Sequence, residues 1–278
     1  MLREAAARLA AVSDTARLDA ELLMAHALGV MRSEMLLRHM DSPSPGGFPA
    51  LIERRERHEP VAYILGRQEF YGRDFLVSPA VLIPRSDSES VVEAALGVCP
   101  APHRVLDCGV GSGALLLTVL AECPDAQGIG IDRSPGALAI AAANASRLGL
   151  AGRARMLRLD WTQTGWTAGL GRFDLILANP PYVEECADLS PSVREYEPGA
   201  ALFAGPEGLD DYRILIPQFR GLLENGGAAC LEIGASQAEA VTRIAEMAEF
   251  SAEIARDLAG RPRAVILRLG VGKAEENH

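Results

Sequence analysis

From residue 100 onward, short apolar runs alternate with segments of helical spacing, and several runs end on a carboxylate or a carboxamide. The pattern predicts strands over Arg104–Asp107, Gly128–Ile131, Arg155–Leu159, Phe173–Ala178 and Ala228–Ile233. Helices are predicted over Ala114–Ala121, Pro135–Leu148, about Tyr212–Leu223 and Ser236–Ala248. Two closing segments, Ser251–Arg256 and Arg263–Leu269, joined by Gly260-Arg261-Pro262, read as an antiparallel pair. Strand–helix–strand alternation of this kind builds an α/β fold, a mostly parallel sheet with helices on both faces. Ligands of such sheets lie outside the carboxyl ends of the strands. Asp107, Asp132, Asp160 and Asn179 all stand at predicted strand ends, so they are expected to converge on one crevice.

The residues before this region follow other rules. Ser13 or Asp14 is placed to cap a helix whose apolar stripe is Leu18, Leu22, Ala25 and Leu28, with Gly29 as its stop. Ser33 opens a short helix through Leu36 and Leu37, and the stretch from Ser42 to Pro49 is a loop. An Arg-rich helix is predicted over Leu51–His58, then a turn from Pro60 to Leu65. These short helices make a small bundle with no cluster of acids, bases or metal ligands. Contact with a partner is its expected task, with a packing appendage as the alternative. Aromatic and β-branched residues rise between Glu69 and Pro84, with Gly72 and Pro79 as punctuation, which predicts a hairpin linker. The expected division is therefore 1–68 helical, 69–88 linker and 89–278 sheet domain.

Composition narrows the function. The opening nine residues mix charge with Ala and Leu and lack the apolar core of a signal peptide. No run approaches about 18 uninterrupted apolar residues, so no membrane span is expected and the cytoplasm is the expected compartment. Five cysteines, Cys99, Cys108, Cys123, Cys186 and Cys230, show no paired spacing, which fits a reducing compartment and no metal site. Net charge is −10: residues 1–75 carry 10 basic and 11 acidic side chains, the remainder 17 and 26. A direct nucleic-acid substrate is therefore disfavoured.

Asp107-Cys108-Gly109-Val110-Gly111-Ser112-Gly113 follows a predicted strand and opens a helix. Glycines there let a ligand approach the backbone. A dinucleotide favours G-x-G-x-x-G, whereas this turn reads G-x-G-x-G after an acid. That acid would repel a pyrophosphate and attract the cationic amino-acid end of S-adenosylmethionine. Asp132 suits the ribose hydroxyls of either cofactor, and Asp160-Trp161 a hydrogen bond and an apolar wall at adenine. Each feature alone reads equally as a tight turn or a helix cap.

Asn179-Pro180-Pro181-Tyr182 then ends the Phe173–Ala178 run. Two prolines force the chain stiffly out of the sheet. The loop offers one amide side chain, free carbonyls and a ring, which suits a planar nitrogen substrate; a proline-punctuated turn with a half-buried Tyr is the alternative. None of His26, His39, His58, His103 and His278 stands at a strand end, as hydride chemistry would want. Methyl transfer needs mainly alignment. If the Asn179 side-chain oxygen and the Pro180 carbonyl each accept one N–H, a conjugated nitrogen can pyramidalise toward the methyl, with Tyr182 packed on the planar group. The proton leaves late, and no strong base is needed.

Taken together, these residues resemble the PrmC/HemK family of protein-glutamine methyltransferases, over nearly the whole chain. The landmarks are Ile64-Leu65-Gly66, Glu69-Phe70-Tyr71-Gly72, Val77-Ser78-Pro79, Leu82-Ile83-Pro84-Arg85, Glu197-Pro198 with Ala201-Leu202, Gly208-Leu209-Asp210 and Leu231-Glu232-Ile233-Gly234, beside the two motifs above. The resemblance implies a class I methyltransferase fold, an S-adenosylmethionine donor, and methylation of the glutamine in the Gly-Gly-Gln loop of class 1 peptide-chain release factors. It implies cofactor contacts from Asp107, Gly109, Gly111, Gly113, Asp132, Asp160, Trp161 and Asn179. It places the glutamine on Asn179, Pro180, Pro181 and Tyr182, with Arg85 and Glu89 closing the substrate site, although a surface ion pair or a helix-start acid is the alternative for those two. The helical domain is expected to grip the release factor, and the chain to act as a monomer. Where the family has a proline after the arginine, this chain has Ser86, which bears on the rigidity of that loop. Competing readings are a methyltransferase for amino groups of rRNA or DNA bases, a non-enzymatic cofactor-binding protein and a nicotinamide dehydrogenase.

Overall fold

The computed structural model describes residues 1–40, 43–257 and 259–270. Ser42 of the predicted loop, His278 and the end of the predicted third segment lie outside them. The first unit packs α1 (Leu2–Leu9), α2 (Ala16–Leu28), α3 (Arg32–Arg38), α4 (Phe48–Glu56) and α5 (Val61–Leu65) around Leu9, Leu23, Met24, Met35 and Ile52. Gly29 ends α2 in the left-handed region, at φ 70°, as its position predicts.

The face and cap of α2 differ from expectation. Its cap residue is Thr15, and neither Ser13 nor Asp14 caps it. The hydroxyls of Ser13 and Thr15 instead donate to Asp19, at 2.7 and 3.0 Å. The buried face runs through Asp19, Ala20, Glu21, Leu23, Met24 and Ala25; of the expected stripe Ala25 is buried and Leu28 packs on the core, while Leu18 is exposed. The cause is electrostatic. Asp19 pairs with the buried Arg55 at 2.8 Å, and Glu21 with the half-exposed Arg17 and Arg32 at 2.5 and 2.6 Å, so both carboxylates are compensated on the inner face. The third helix begins at Arg32, not Ser33, and the fourth at Phe48, three residues before Leu51, with Pro49 in its first turn.

A hairpin follows, β1 (Arg67–Phe70) and β2 (Arg73–Leu76), turning through Tyr71 and Gly72, both at positive φ. Phe70 and Phe75 meet edge to face at 6.1 Å and are buried in the core of the sheet unit. The hairpin is thereby docked on the sheet rather than free. Asn144 secures it, accepting the Leu76 N–H at 2.7 Å and donating to the carbonyls of Leu76 and Ser112.

The sheet unit then runs α6 (Glu89–Val98), β3 (Arg104–Cys108), α7 (Ala114–Glu122), β4 (Gln127–Asp132), α8 (Pro135–Arg147), β5 (Ala154–Arg158), β6 (Phe173–Ala178), α9 (Pro191–Tyr196), α10 (Asp210–Gln218), β7 (Leu223–Glu232), α11 (Ala238–Met247), β8 (Phe250–Arg256) and β9 (Pro262–Leu269). Strand order is β5-β4-β3-β6-β7-β9-β8, with β9 alone antiparallel to the rest. The chain winds outward from β3 to β5 and then crosses back to β6, so β3 and β6 flank the switch point where ligands bind such sheets. Two apolar cores, one on each face, fix this geometry. The segment from Val183 to Phe203, closed by a bridge between those two residues, folds over the strand ends. Among the described residues no helix is long and apolar enough to cross a membrane.

Candidate active site

A cavity of about 200 Å³ opens at the carboxyl ends of β3, β4 and β6. Asp107, Gly109, Gly111, Asp132, Trp161, Asn179 and Pro181 form its walls. Arg85 and Ser88 close one side, and Pro198, Ala200 and Ala201 of the folded-over segment another. The convergence expected from the strand ends is thus real for Asp107, Asp132 and Asn179.

The glycine turn is built on β4. Gly109 and Val110 N–H groups donate to the Ile131 carbonyl at 2.9 Å, and Gly111 N–H to Asp132 Oδ2 at 3.1 Å. Asp132 Oδ1 accepts the Ser134 N–H at 2.8 Å, which leaves its remaining lone pairs for a ligand. Gly109 has φ 86°, and a Cβ there would lie 3.2 Å from the Trp161 ring. Only glycine lets that ring close the wall. Trp161 is itself aimed, since its Nε1–H donates to Asp211 Oδ1 at 2.8 Å.

Asp107 is 1% exposed. Burial pushes its carboxyl up to about 7; the Leu116 N–H opposes the rise and Asp132 adds to it. Among the described residues its Oδ1 has no hydrogen-bond partner, and neither has Asn179 Oδ1, although both atoms are buried. Buried polar atoms are nearly always satisfied. Two orphan acceptors on one cavity wall are therefore open positions for ligand donors. A cationic amino group fits the first and a substrate N–H the second, so the residues present fit S-adenosylmethionine beside an amide.

Several expected site residues lie elsewhere. Asp160 does not line this cavity; its Oδ1 accepts the Thr162 N–H and hydroxyl at 2.9 and 2.7 Å in a local turn. Glu89 accepts the Tyr71 N–H at 2.8 Å and so holds the hairpin turn, away from the cavity. Gly113, at φ 86°, starts α7, where a Cβ would meet Leu117 at 2.7 Å; packing, not cofactor contact, requires it. Pro180 is buried beneath the wall, and the Tyr182 ring packs on the core behind the loop with its hydroxyl on Glu232. Neither is part of the wall, so Tyr182 supports the loop from behind rather than facing the cavity.

The loop lacking the family's proline is fixed another way. Arg85 pairs with Glu197, Asp87 with Arg263 at 2.6 Å, and Glu89 holds the hairpin. Ties to three different segments replace the restraint of one ring. Glu197 was missed as part of the site: it also accepts the Ile83 N–H at 3.1 Å and so latches the folded-over segment to the loop. Its only sequence signal is the Glu197-Pro198 landmark.

Sheet order, glycine turn and orphan acceptors together define a methyltransferase of the S-adenosylmethionine-dependent class. Residues 105–195 match the methyltransferase domain family and residues 1–66 the PrmC N-terminal domain family. The fold is similar to a methyltransferase from Pyrococcus furiosus, with TM-score 0.51 and 14% identity over 72% of this chain and 91% of that one. The chain is 41% identical over 265 residues to the release factor glutamine methyltransferase of Geobacter sulfurreducens, covering 92% of this chain and 91% of the relative. It is 42% identical over 276 residues to that of Cereibacter sphaeroides, covering 96% and 97%. The chain belongs to the release factor glutamine methyltransferase family.

Proposed function

We propose that this protein methylates the side-chain amide nitrogen of the glutamine in the Gly-Gly-Gln loop of class 1 release factors. The observation that carries the reading is Asn179 Oδ1, buried on the cavity wall with no partner of its own. S-adenosylmethionine, when bound, supplies an electrophilic methyl group on a sulfonium. Asp107, Asp132 and Trp161 hold it, with Gly109 and Gly111 allowing close approach.

An amide nitrogen is a poor nucleophile because its lone pair is conjugated with the carbonyl. Asn179 Oδ1 accepts one of its N–H groups, which favours pyramidal nitrogen and aims the lone pair. Alignment is the main contribution, worth orders of magnitude when the reacting atoms are fixed. The proton departs from nitrogen already made cationic, so the absence of histidine from the wall is no obstacle. Arg85 and Glu197 hold the mouth of the site. The helical unit grips the release factor and is coupled to the mouth through the Tyr196 hydroxyl, which donates to the Arg57 carbonyl at 2.6 Å. The protein works as a cytoplasmic monomer on a protein substrate.

The test is mass spectrometry of release factor incubated with enzyme and donor. One added methyl on the Gly-Gly-Gln glutamine is expected with wild type, and about 100-fold less with Asn179→Ala at unchanged donor affinity. Methyl label entering ribosomal RNA instead, or an Asn179→Ala variant at full rate, overturns the reading.

A further inference from the structure

Two sequence landmarks take no part in holding donor or amide: Gly208-Leu209-Asp210 and Leu231-Glu232-Ile233-Gly234. Both meet at Tyr182. Glu232 ends β7, one residue beyond Leu231, whose register partner on β6 is Ala178. Its side chain is buried; Oε1 accepts the Tyr182 hydroxyl at 3.1 Å, and Ser88 stands beside the carboxylate. The other oxygen, Oε2, is buried without a partner. A carboxylate sunk in this way is a poor stabiliser. Its contribution is then direction: it holds the Tyr182 hydroxyl and with it the loop after β6, next to Ser88 of the cavity wall.

The main chain of the same tyrosine is held too. Gln237 Nε2 donates to the Tyr182 carbonyl at 3.0 Å and to the Gly208 carbonyl at 3.1 Å, while its Oε1 accepts the Gly234 N–H at 3.0 Å. Gly208 lies directly on that carbonyl: a Cβ there would sit 2.2 Å from the Tyr182 oxygen. Tyr182 is thus gripped at side chain and main chain from β7 and the start of α11, neither of which lines the cavity.

We propose that Glu232 and Gln237 are positioning residues of the transfer reaction. They fix Tyr182 and, through it, the Asn179–Tyr182 loop, so that Asn179 Oδ1 stays aimed at the substrate nitrogen. The proposal rests on the methyl-transfer reading above. Glu232→Gln keeps an acceptor for the Tyr182 hydroxyl and is expected to keep kcat within about twofold, whereas Glu232→Leu lowers it about tenfold or more with donor affinity unchanged. In a Tyr182→Phe background the clamp has no hydroxyl to hold, and Glu232→Leu is expected to cost less than about twofold further.

A second readout needs no turnover. Hydrogen exchange over residues 176–184 is expected to quicken about tenfold in Glu232→Leu and in Gln237→Ala, and to stay unchanged in Arg243→Ala on the exposed face of α11. Losses that multiply in the double variant, a Glu232→Gln variant as slow as Glu232→Leu, or unchanged exchange in both clamp variants overturn the proposal. A wild-type enzyme that fails to methylate release factor sinks the activity reading instead, and exchange still reports on the clamp.

Discussion

The raised Asp107 carboxyl makes donor binding a proton-releasing event. Without ligand, burial leaves the group half protonated near about pH 7. A cationic amino group beside Oδ1 favours the ionised form and is expected to return the carboxyl to its ordinary range near about 4. Linkage then fixes the size of the effect. Affinity for donor should fall about fifteen-fold from about pH 7 to about pH 5.5. Binding should release about 0.9 proton at the acid end and about 0.5 at neutrality. Above about pH 8 the amino group loses its own charge, and affinity turns over. The stability sign is the reverse: a folded-state carboxyl raised above its unfolded value stabilises the free chain below about pH 4, and that gain is lost as pH rises through about 7. Donor should therefore raise the melting temperature more at about pH 8 than at about pH 5.5. Calorimetry in buffers of different ionisation heat measures affinity and protons together, with Asp107→Asn as the non-titrating control. A wild-type profile as flat as that of Asp107→Asn, or affinity rising toward acid, refutes the reasoning.

Gly109→Ala should cost about 1–2 kcal/mol of stability, because a side chain must adopt left-handed backbone, and should weaken donor binding as Trp161 is pushed from the wall; denaturant unfolding and donor titration check both. Arg55→Ala leaves Asp19 buried without its cation and should destabilise the helical unit by about 3 kcal/mol, read as a lower unfolding midpoint. Glu197→Ala frees Arg85 and the Ile83 N–H at once. It should raise KM for release factor while leaving donor affinity alone, at a stability cost of about 1–3 kcal/mol measured by thermal unfolding.

Strand ends were legible because the polar residues there interrupt apolar runs in an order that only a parallel sheet brings together. Asp107, Asp132 and Asn179 follow from that logic alone. Asp160 and Glu89 do not, because each stands within reach of a nearby backbone N–H that claims the carboxylate first. The misread face of α2 has the same root: hydrophobic spacing selects Leu18, whereas charged pairs decide what is buried. Glu232 reads in sequence as the polar position of a strand. Its meaning depends on Tyr182, 50 residues away, and on Ser88 further still, which no local pattern carries. The folded-over segment has no long periodicity, since beyond the short α9 its order comes from Glu197, Arg133 and the bridge at Val183.

The position of β9 has a consequence for how the molecule is made. It enters between β7 and β8, so the outer edge of β7 stays open until Pro262–Leu269 has left the ribosome. Until then a growing chain carries the glycine turn, the Asn-Pro-Pro-Tyr loop and an unpaired strand edge, a template for wrong partners. Pairings so far apart in sequence are slow to form. The sheet is thus complete only once its inserted last strand has emerged, and newly made chains are most exposed to aggregation before then.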